Sequence, residues 1–535
     1  MKSIIELSNV SFKYHDSEAG LKNINISIKE GERVAVVGKG GAGKTTFFYC
    51  IKKVIPCVYK GVLDGHIYLD NKSIMEYSNK ELIEKISIIL ENFRMQRCSS
   101  TVEKELVFCM ENLGFDSNTI EKRLKEIIYI FELTELLDTT MHTLSGGQCQ
   151  KVLIASFLVL MSPIICLDNA ASELDEKSKK KLYEIIDNYS DKYGITSIVA
   201  ENDPRYFQRY DRVLIFDKGE IIGNITPKSL YLNSKWNQYY DYEKLIIPQI
   251  CLHYNLAIPE DLNLTDENIQ YIQANLKVRN HIETTISWEK KSSILEISKG
   301  EFRHGETVIL KDINMEIFEN DTLGIVGKNG VGKTTLLKII CGLYKLSEGI
   351  LKTKVKGFGV VFQDVACQLF ESSVKEEMCG YIEENKIYHA LYEVGLEKKM
   401  DDDPLSLTKG EQKRLAIATI IAQDKDIIIL DEPTSGLSGY EIRRLKEILR
   451  NLQVKGKTLI IVSHDMDFIS QTCDKMCVVY DKHIASLGYI RETLCNKSIM
   501  KKSGMESPDI VKLSEKMGYM VLSLGEFFEK YEKKY

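Results

Sequence analysis

GKGGAGKT, residues Gly38–Thr45, returns as GKNGVGKT, residues Gly327–Thr334. Each copy fits G-x-x-x-x-G-K-[ST], a spelling that follows from the chemistry of holding phosphate. Glycines let the backbone curl so that its N–H groups face phosphate oxygens. Gly38, Gly40, Gly41 and Gly43 do this in the first copy, and Gly327, Gly330 and Gly332 with Asn329 in the second. The lysine, Lys44 or Lys333, reaches the β and γ phosphates. The hydroxyl that follows, Thr45 or Thr334, ligates Mg²⁺, with Thr46 or Thr335 next in line. Two nucleotide sites in one polypeptide are therefore expected.

Outward from these loops, VAVVG (Val34–Gly38) and LGIVG (Leu323–Gly327) read as buried strands running into the loops, each with a helix after it. Ile427–Leu430 is a further apolar run. It ends in Asp431 and Glu432, at the C-terminal strand edge where open α/β sheets bind ligands. LSGGQCQK (Leu144–Lys151) answers LTKGEQKR (Leu407–Arg414), and CLDNAASELD (Cys166–Asp175) answers ILDEPTSGLS (Ile429–Ser438). The phosphate loops stand 289 positions apart (38 against 327) and the acidic strand ends 263 (168 against 431), so the second half is 26 residues shorter between them. Pro248-Gln249-Ile250 and Pro508-Asp509-Ile510 echo each other in the tails. The expected organisation is a first domain over 1–276, a linker over 277–293 and a second domain over 294–535, each domain closing with a short helical extension.

A composition of 44% hydrophobic and 28% charged residues is that of an ordinary globular chain, and its 535 residues are enough for two cores. The formal net charge of -6 gives no broad reason to bind nucleic acid, and none is expected as a partner. The most apolar run, Val152–Leu167, is broken by Ser156, Ser162 and Pro163 short of a spanning length, so no membrane crossing is expected. Thirteen cysteines without a CxxC pair fit a reducing cytosol. Cys473 and Cys477 are four apart, a spacing that allows a shared helix face, but no second Cys or His pair sits near them in sequence to complete a metal site.

LSGGQ between a phosphate loop and a strand-end aspartate resembles the signature of the ABC-type ATPases, and each half matches that pattern over nearly its whole length. The resemblance implies an α/β fold of two tandem P-loop domains paired head to tail within the chain, each ATP lying between the phosphate loop of one half and the signature of the other. It implies for the second half that Lys333 and Thr334 serve phosphates and Mg²⁺, Gln363 is the loop glutamine, Asp431 holds Mg²⁺, Glu432 polarises the attacking water and His464 meets the γ-phosphate. For the first half it implies Lys44, Thr45 and Asp168 in the matching roles. There Glu91 stands at the glutamine, Asn169 at the catalytic glutamate and Asn202 at the switch histidine. Val102 with Val374 and Gln96 with Gln368 keep the 272 offset that pairs Glu91 with Gln363.

Signatures depart the other way. Ser145, Gly146, Gly147 and Gln148 match the family in the first half, whereas Thr408, Lys409 and Glu411 depart from it in the second. Asp175 closes the acidic loop in the first half, Ser438 in the second. Under head-to-tail pairing every intact element falls in one composite site and every altered one in the other. Asn169 cannot act as a base because an amide accepts no proton near neutral pH. Lys409 either crowds the γ-phosphate or adds charge to it.

Tyr14, and His304 in the second half, match the position where the family stacks a ring on adenine; a surface or core aromatic is the alternative. Glu91 is either a Mg²⁺ ligand or a solvated loop glutamate. The aromatic stretch Trp236–Tyr242 either meets a partner or packs its own domain. VVFQDVACQLFESSV (Val360–Val374) and the Pro-led extension resemble the ATPases of energy-coupling factor importers, which move vitamins and transition-metal ions. That resemblance implies an integral membrane scaffold subunit and a substrate-binding membrane subunit as partners, at the cytoplasmic face of the membrane. A tandem ABC protein acting on ribosomes and the ATPase of an exporter are the alternatives.

Overall fold

The computed structural model describes residues 2–15, 20–91, 93–171, 174, 176–279, 292–328, 330–355, 357–380 and 383–534. Asn329, Asp175 and residues 280–291 of the expected linker lie outside the described residues. By contacts the chain divides into Met1–Tyr242 with Ser438–Tyr440, and Glu243–Leu437 with Glu441–Tyr535.

The first unit holds a six-stranded sheet in the order Glu220–Ile225, Arg212–Asp217, Arg33–Gly38, Thr196–Ala200, Ile164–Asp168, Ile86–Ile89. All neighbours are parallel except the first pair. Val34–Gly38 is buried residue after residue, as befits a central parallel strand covered on both faces. A second, antiparallel sheet joins Gly20–Lys29, Ser3–Tyr14, Gly61–Leu69 and Lys72–Ser73. Gly20–Lys29 alternates buried and exposed, the pattern of a strand with one covered face. Phe47 and Phe48, on the helix Lys44–Ile51, fill the core between the sheets with Val34, Val36, Ile198 and Leu214. Trp236, Tyr239 and Tyr240 are buried in this unit, and Tyr240 Oη donates to the Leu230 carbonyl at 3.3 Å.

The second unit repeats the order: His483–Tyr489, Lys475–Tyr480, Thr322–Val326, Thr458–Val462, Ile427–Asp431, Phe358–Val361. Its antiparallel sheet is Thr307–Phe318, Ser293–His304, Glu348–Thr353. The unit also contains Glu243–Leu276, part of the 1–276 span that the sequence assigns to the first domain. Leu276–Val278 pairs antiparallel with Tyr531–Lys533. Ile246, Ile250 and Ile272 share one core with Ile510, Val511, Phe527 and Tyr531. Tyr254 Oη donates to the Tyr531 carbonyl at 2.9 Å, and Tyr531 Oη to the Tyr519 carbonyl at 2.6 Å. Neither short tail buries enough apolar surface alone, so the two share it.

Val152–Leu167 resolves into the end of the helix Gly146–Leu158 and the strand Ile164–Asp168. Among the described residues no helix is long and apolar enough to cross a membrane. Cys473 and Cys477 share no helix face. Cys473 ends the helix Met466–Thr472, and Cys477 lies within the strand Lys475–Tyr480, because Asp474 separates the two elements.

Candidate functional site

Both phosphate loops leave a central strand and enter a helix through a left-handed glycine. Gly43 has φ 103° and Gly332 φ 107°, each capping its helix, Lys44–Ile51 or Lys333–Ile340, where a side chain would be strained. Gly38 and Gly327 meet a different limit: a Cβ there would lie 2.6 Å from the Phe216 carbonyl oxygen or 2.5 Å from that of Val479. Lys44 and Lys333 are buried and lie back over their loops. Their ammoniums donate to Gly38 and Lys39 at 2.6 and 3.1 Å, and to Gly327 and Lys328 at 2.8 and 3.1 Å. Thr45 Oγ1 donates to Asp168 Oδ2 at 2.5 Å, and Thr334 Oγ1 to Asp431 Oδ2 at 3.3 Å. The sheet order explains these pairs, since the acidic strand is separated from the phosphate-loop strand by one neighbour. Gly40, Gly41 (φ 73°) and Gly330 (φ 77°) complete the exposed rims of the loops.

The second unit assembles a charged cluster at this edge. Glu432 has its carboxylate 2.8 Å from His464 Nδ1 and also accepts from the His464 backbone N–H at 3.4 Å. Burial works against the Glu432 charge, but the His464 ring outweighs it and holds the carboxyl below its usual range. His464, which burial alone would lower, is raised by the same carboxylate. Asp431 differs: burial first and the Glu432 charge second push it up to about 6, against the Thr334 hydroxyl and the Lys333 charge. Its Oδ1 is buried without a hydrogen-bond partner. A carboxylate with one oxygen engaged by a hydroxyl and the other buried and unmatched fits a hard cation such as Mg²⁺. Gln363 stands exposed two residues past Val361, whose strand pairs directly with Ile427–Asp431, so its loop leaves the sheet beside Asp431.

In the first unit the frame is the same and the chemistry differs. Asn169 has φ 48° and Glu432 φ 46°, both left-handed; their N–H groups donate to Ala200 at 3.1 Å and Val462 at 2.8 Å. Gln96 and Gln368 close the following loops identically. Gln96 accepts from Leu90 N–H at 2.9 Å and donates to Ile88 at 3.0 Å; Gln368 accepts from Phe362 N–H at 2.9 Å and donates to Val360 at 3.1 Å. These paired contacts lie 272 positions apart, the offset that also separates Glu91 from Gln363. Asn202 follows Glu201, whose carboxylate accepts from the N–H groups of Asn202 and Asp203 at 2.8 and 3.0 Å, from Tyr183 Oη at 2.8 Å and from Lys179 at 2.8 Å. Ser463 occupies the matching place before His464.

Ser145 and Thr408 each cap a helix, Gly146–Leu158 and Lys409–Ala422, in reciprocal capping boxes with Gln148 and Glu411. The exchange of glutamine for glutamate therefore leaves the helix start intact. Glu411 also pairs with Lys399 at 2.9 Å; burial opposes its charge, yet the Lys399 and Thr408 contacts hold its carboxyl below the usual range. Gly147 and Lys409 occupy the first turns of these helices, Lys409 exposed. Tyr14 Oη lies 3.2 Å from Thr46 Oγ1, at the back of the first phosphate loop, and its ring meets Phe12 edge-on at 4.7 Å. His304 is exposed at the end of its strand, while Phe302 stacks on Tyr344 at 5.0 Å; Thr335 is half-buried. Ser438 precedes the helix Gly439–Val454.

Sequence reading missed two groups. Glu105 and Glu377 brace the loops after the glutamine positions: Glu105 accepts from Ser99 N–H at 2.7 Å, and Glu377 from Phe370 N–H at 2.8 Å. Their shared 272 offset was the available signal. Lys413, buried on the helix Lys409–Ala422, donates to the carbonyls of Glu432, Pro433 and Ser435; nothing local in the sequence pointed to it.

Two mostly parallel sheets of one order, each with a phosphate loop facing a strand-end carboxylate, define a P-loop nucleoside triphosphatase present twice. The ABC transporter family model matches residues 21–172 and 310–435, and the chain belongs to that family of ATP-binding, ATP-hydrolysing proteins. It is 30% identical over 496 residues, covering 88% of this chain and 92% of the other, to a Methanosarcina mazei protein named for an ABC transporter ATP-binding role. A similarly named protein of Caldanaerobacter subterraneus is 28% identical over 98% of both chains. An archaeal ribosome recycling factor, solved with a ribosomal stalk protein, has a TM-score of 0.59 at 20% identity over 90% of each chain, a likeness that shows the fold alone.

Proposed function

We propose that the chain is the ATPase motor of an energy-coupling factor type importer for a vitamin or a transition-metal ion, with one hydrolytic and one degenerate composite site. The observation that carries the asymmetry is the contrast at one left-handed backbone position. In the second unit it presents Glu432, ionised beside His464; in the first it presents Asn169. Glu432 is the base that polarises water, and His464 both orients it and senses the γ-phosphate. Lys333 and the glycines of its loop hold the phosphates, and Gly146, Gly147 and the cap Ser145–Gln148 serve the same nucleotide from the other half.

Thr334, Asp431 and Gln363 would hold Mg²⁺ at the hydrolytic site, and Thr45 and Asp168 at the other, with Glu91 in the glutamine position. When bound, the cation neutralises phosphate charge. Tyr14 and His304 would stack on adenine in this reading. Asn169, Asn202, Thr408, Lys409, Glu411 and Ser438 make up the degenerate site, which retains ATP without cleaving it. The two halves close on ATP and reopen after hydrolysis. An integral membrane scaffold and a substrate-binding membrane subunit follow that cycle at the cytoplasmic face of the membrane through grooves beside Gln363 and Glu91. The transporter names of full-length relatives and the Val360–Val374 stretch support this over a ribosomal role.

The test is steady-state ATP hydrolysis by the assembled protein. Glu432→Gln is expected to lower kcat at least about 10²-fold, and Asn169→Ala to leave most turnover intact. Equal losses from both would refute the asymmetry.

A further inference from the structure

The peptide that presents Glu432 is held from both sides. Its N–H donates to the Val462 carbonyl at 2.8 Å, which ties it to the neighbouring strand. Its carbonyl accepts from Lys413 Nζ at 3.2 Å, and the same ammonium donates to Pro433 at 2.9 Å and Ser435 at 2.8 Å. Lys413 is 6% exposed. Burying an ammonium is costly unless its donors are matched, and here three carbonyls within four residues receive them. Those carbonyls begin at Glu432 itself, whose φ of 46° is a conformation that side chains other than glycine, asparagine and aspartate rarely adopt. The first unit, where Asn169 replaces the glutamate, has the uncharged Gln150 at the register position of Lys413.

We propose that Lys413 is a positioning residue for Glu432: it fixes the peptide that aims the carboxylate and thereby ties the orientation of the helix Lys409–Ala422 to the catalytic group. The proposal rests on the reading of Glu432 as the base. Lys413 lies on the helix whose N-terminus carries the altered signature, so any shift of that helix is passed to Glu432 through one rigid ammonium. A lysine that merely filled a loop would affect folding and nucleotide binding together. A positioning lysine affects kcat, because misplacing a base by about 1 Å costs up to about 10²-fold while phosphate contacts persist.

The experiment uses the full chain with Mg²⁺ and ATP. Lys413→Met is expected to lower kcat about 10- to 100-fold with KM within about 3-fold of wild type. Lys413→Arg should recover most of the rate. In a Glu432→Gln background, Lys413→Met should cost nothing further. A kcat within about 2-fold of wild type, or losses that multiply in the double variant, would overturn the proposal. If Lys413→Met does not fold, Lys413→Gln is judged by the same criteria. Failure of both to fold would mark a structural clamp only and overturn it. A Glu432→Gln variant that hydrolyses normally overturns the base assignment and this proposal with it; an inactive Glu432→Gln beside an unaffected Lys413→Met overturns this proposal alone.

Discussion

Asp431→Asn should make the second unit more stable in the absence of nucleotide and divalent cation, even though it removes a group placed at the metal position. Burial and the adjoining Glu432 charge raise the Asp431 carboxyl from 3.8 to about 6 in the folded protein. Between these values the folded protein holds a proton that the unfolded chain has released, so stability falls as pH rises through this window and the full cost is present above it. The change from 3.8 to about 6 corresponds to about 3 kcal/mol, and the 4% exposure of Asp431 leaves little solvent screening to discount. The asparagine keeps an oxygen for the Thr334 hydroxyl and carries no charge. It should therefore gain about 3 kcal/mol at pH 8 and about 1.5 kcal/mol at pH 5. Two units need not unfold together, so the assay should be local. Hydrogen–deuterium exchange of peptides spanning Ile427–Val462, in chelator and corrected for intrinsic rates, should show about 10²-fold greater protection in the variant at pH 8 and about tenfold at pH 5. Added Mg²⁺ and ATP should then protect wild type more than the variant. Equal or faster exchange in Asp431→Asn at pH 8, or a difference unchanged between the two pH values, would refute the reasoning.

Tyr531→Ala should destabilise the second unit by about 3–5 kcal/mol, because it empties a fully buried ring site and frees the strand paired with Leu276–Val278; local exchange at Ile246–His253 would report it. ATP recovered per chain after extensive turnover should be about one molecule more for wild type than for Lys44→Ala, since Lys44 and Thr45 remain to hold phosphate beside Asn169; equal recovery would reject a retained nucleotide. Ser145→Arg should depress hydrolysis more than Thr408→Arg, as measured by kcat in the assembled protein. Phe370→Asp, at a side chain 81% exposed in the loop after Gln363, should weaken scaffold-dependent membrane recovery while sparing ATP hydrolysis without the scaffold.

The parts of this protein that could be read from the chain are those fixed by neighbouring residues. Glycines that must turn left before Lys44 and Lys333, and isoleucine runs that end in Asp168 or Asp431, are set within a few positions. The 272 offset between the loops was visible, but not that Gln96 and Gln368 staple those loops by bonding backbone on the preceding strand. Lys413 escaped because its partners lie 19 to 22 residues away across a strand and a turn. The packing of Ile250 and Ile272 against Phe527 and Tyr531 escaped because two tails more than 250 residues apart complete one core. Periodicity shows that a tail has an apolar face, not which segment covers it.

The left-handed turn shared by Asn169 and Glu432 sets folding and catalysis at odds within one chain. Asparagine suits that backbone, while a glutamate there carries strain of about 1 kcal/mol or more. On backbone preference alone the amide suits both positions. The acid in the second carries that strain for the catalytic role proposed for it, and the amide in the first does not. An Asn169→Glu exchange would fit the existing turn, so the backbone of the first unit already holds the conformation in which the second presents its carboxylate.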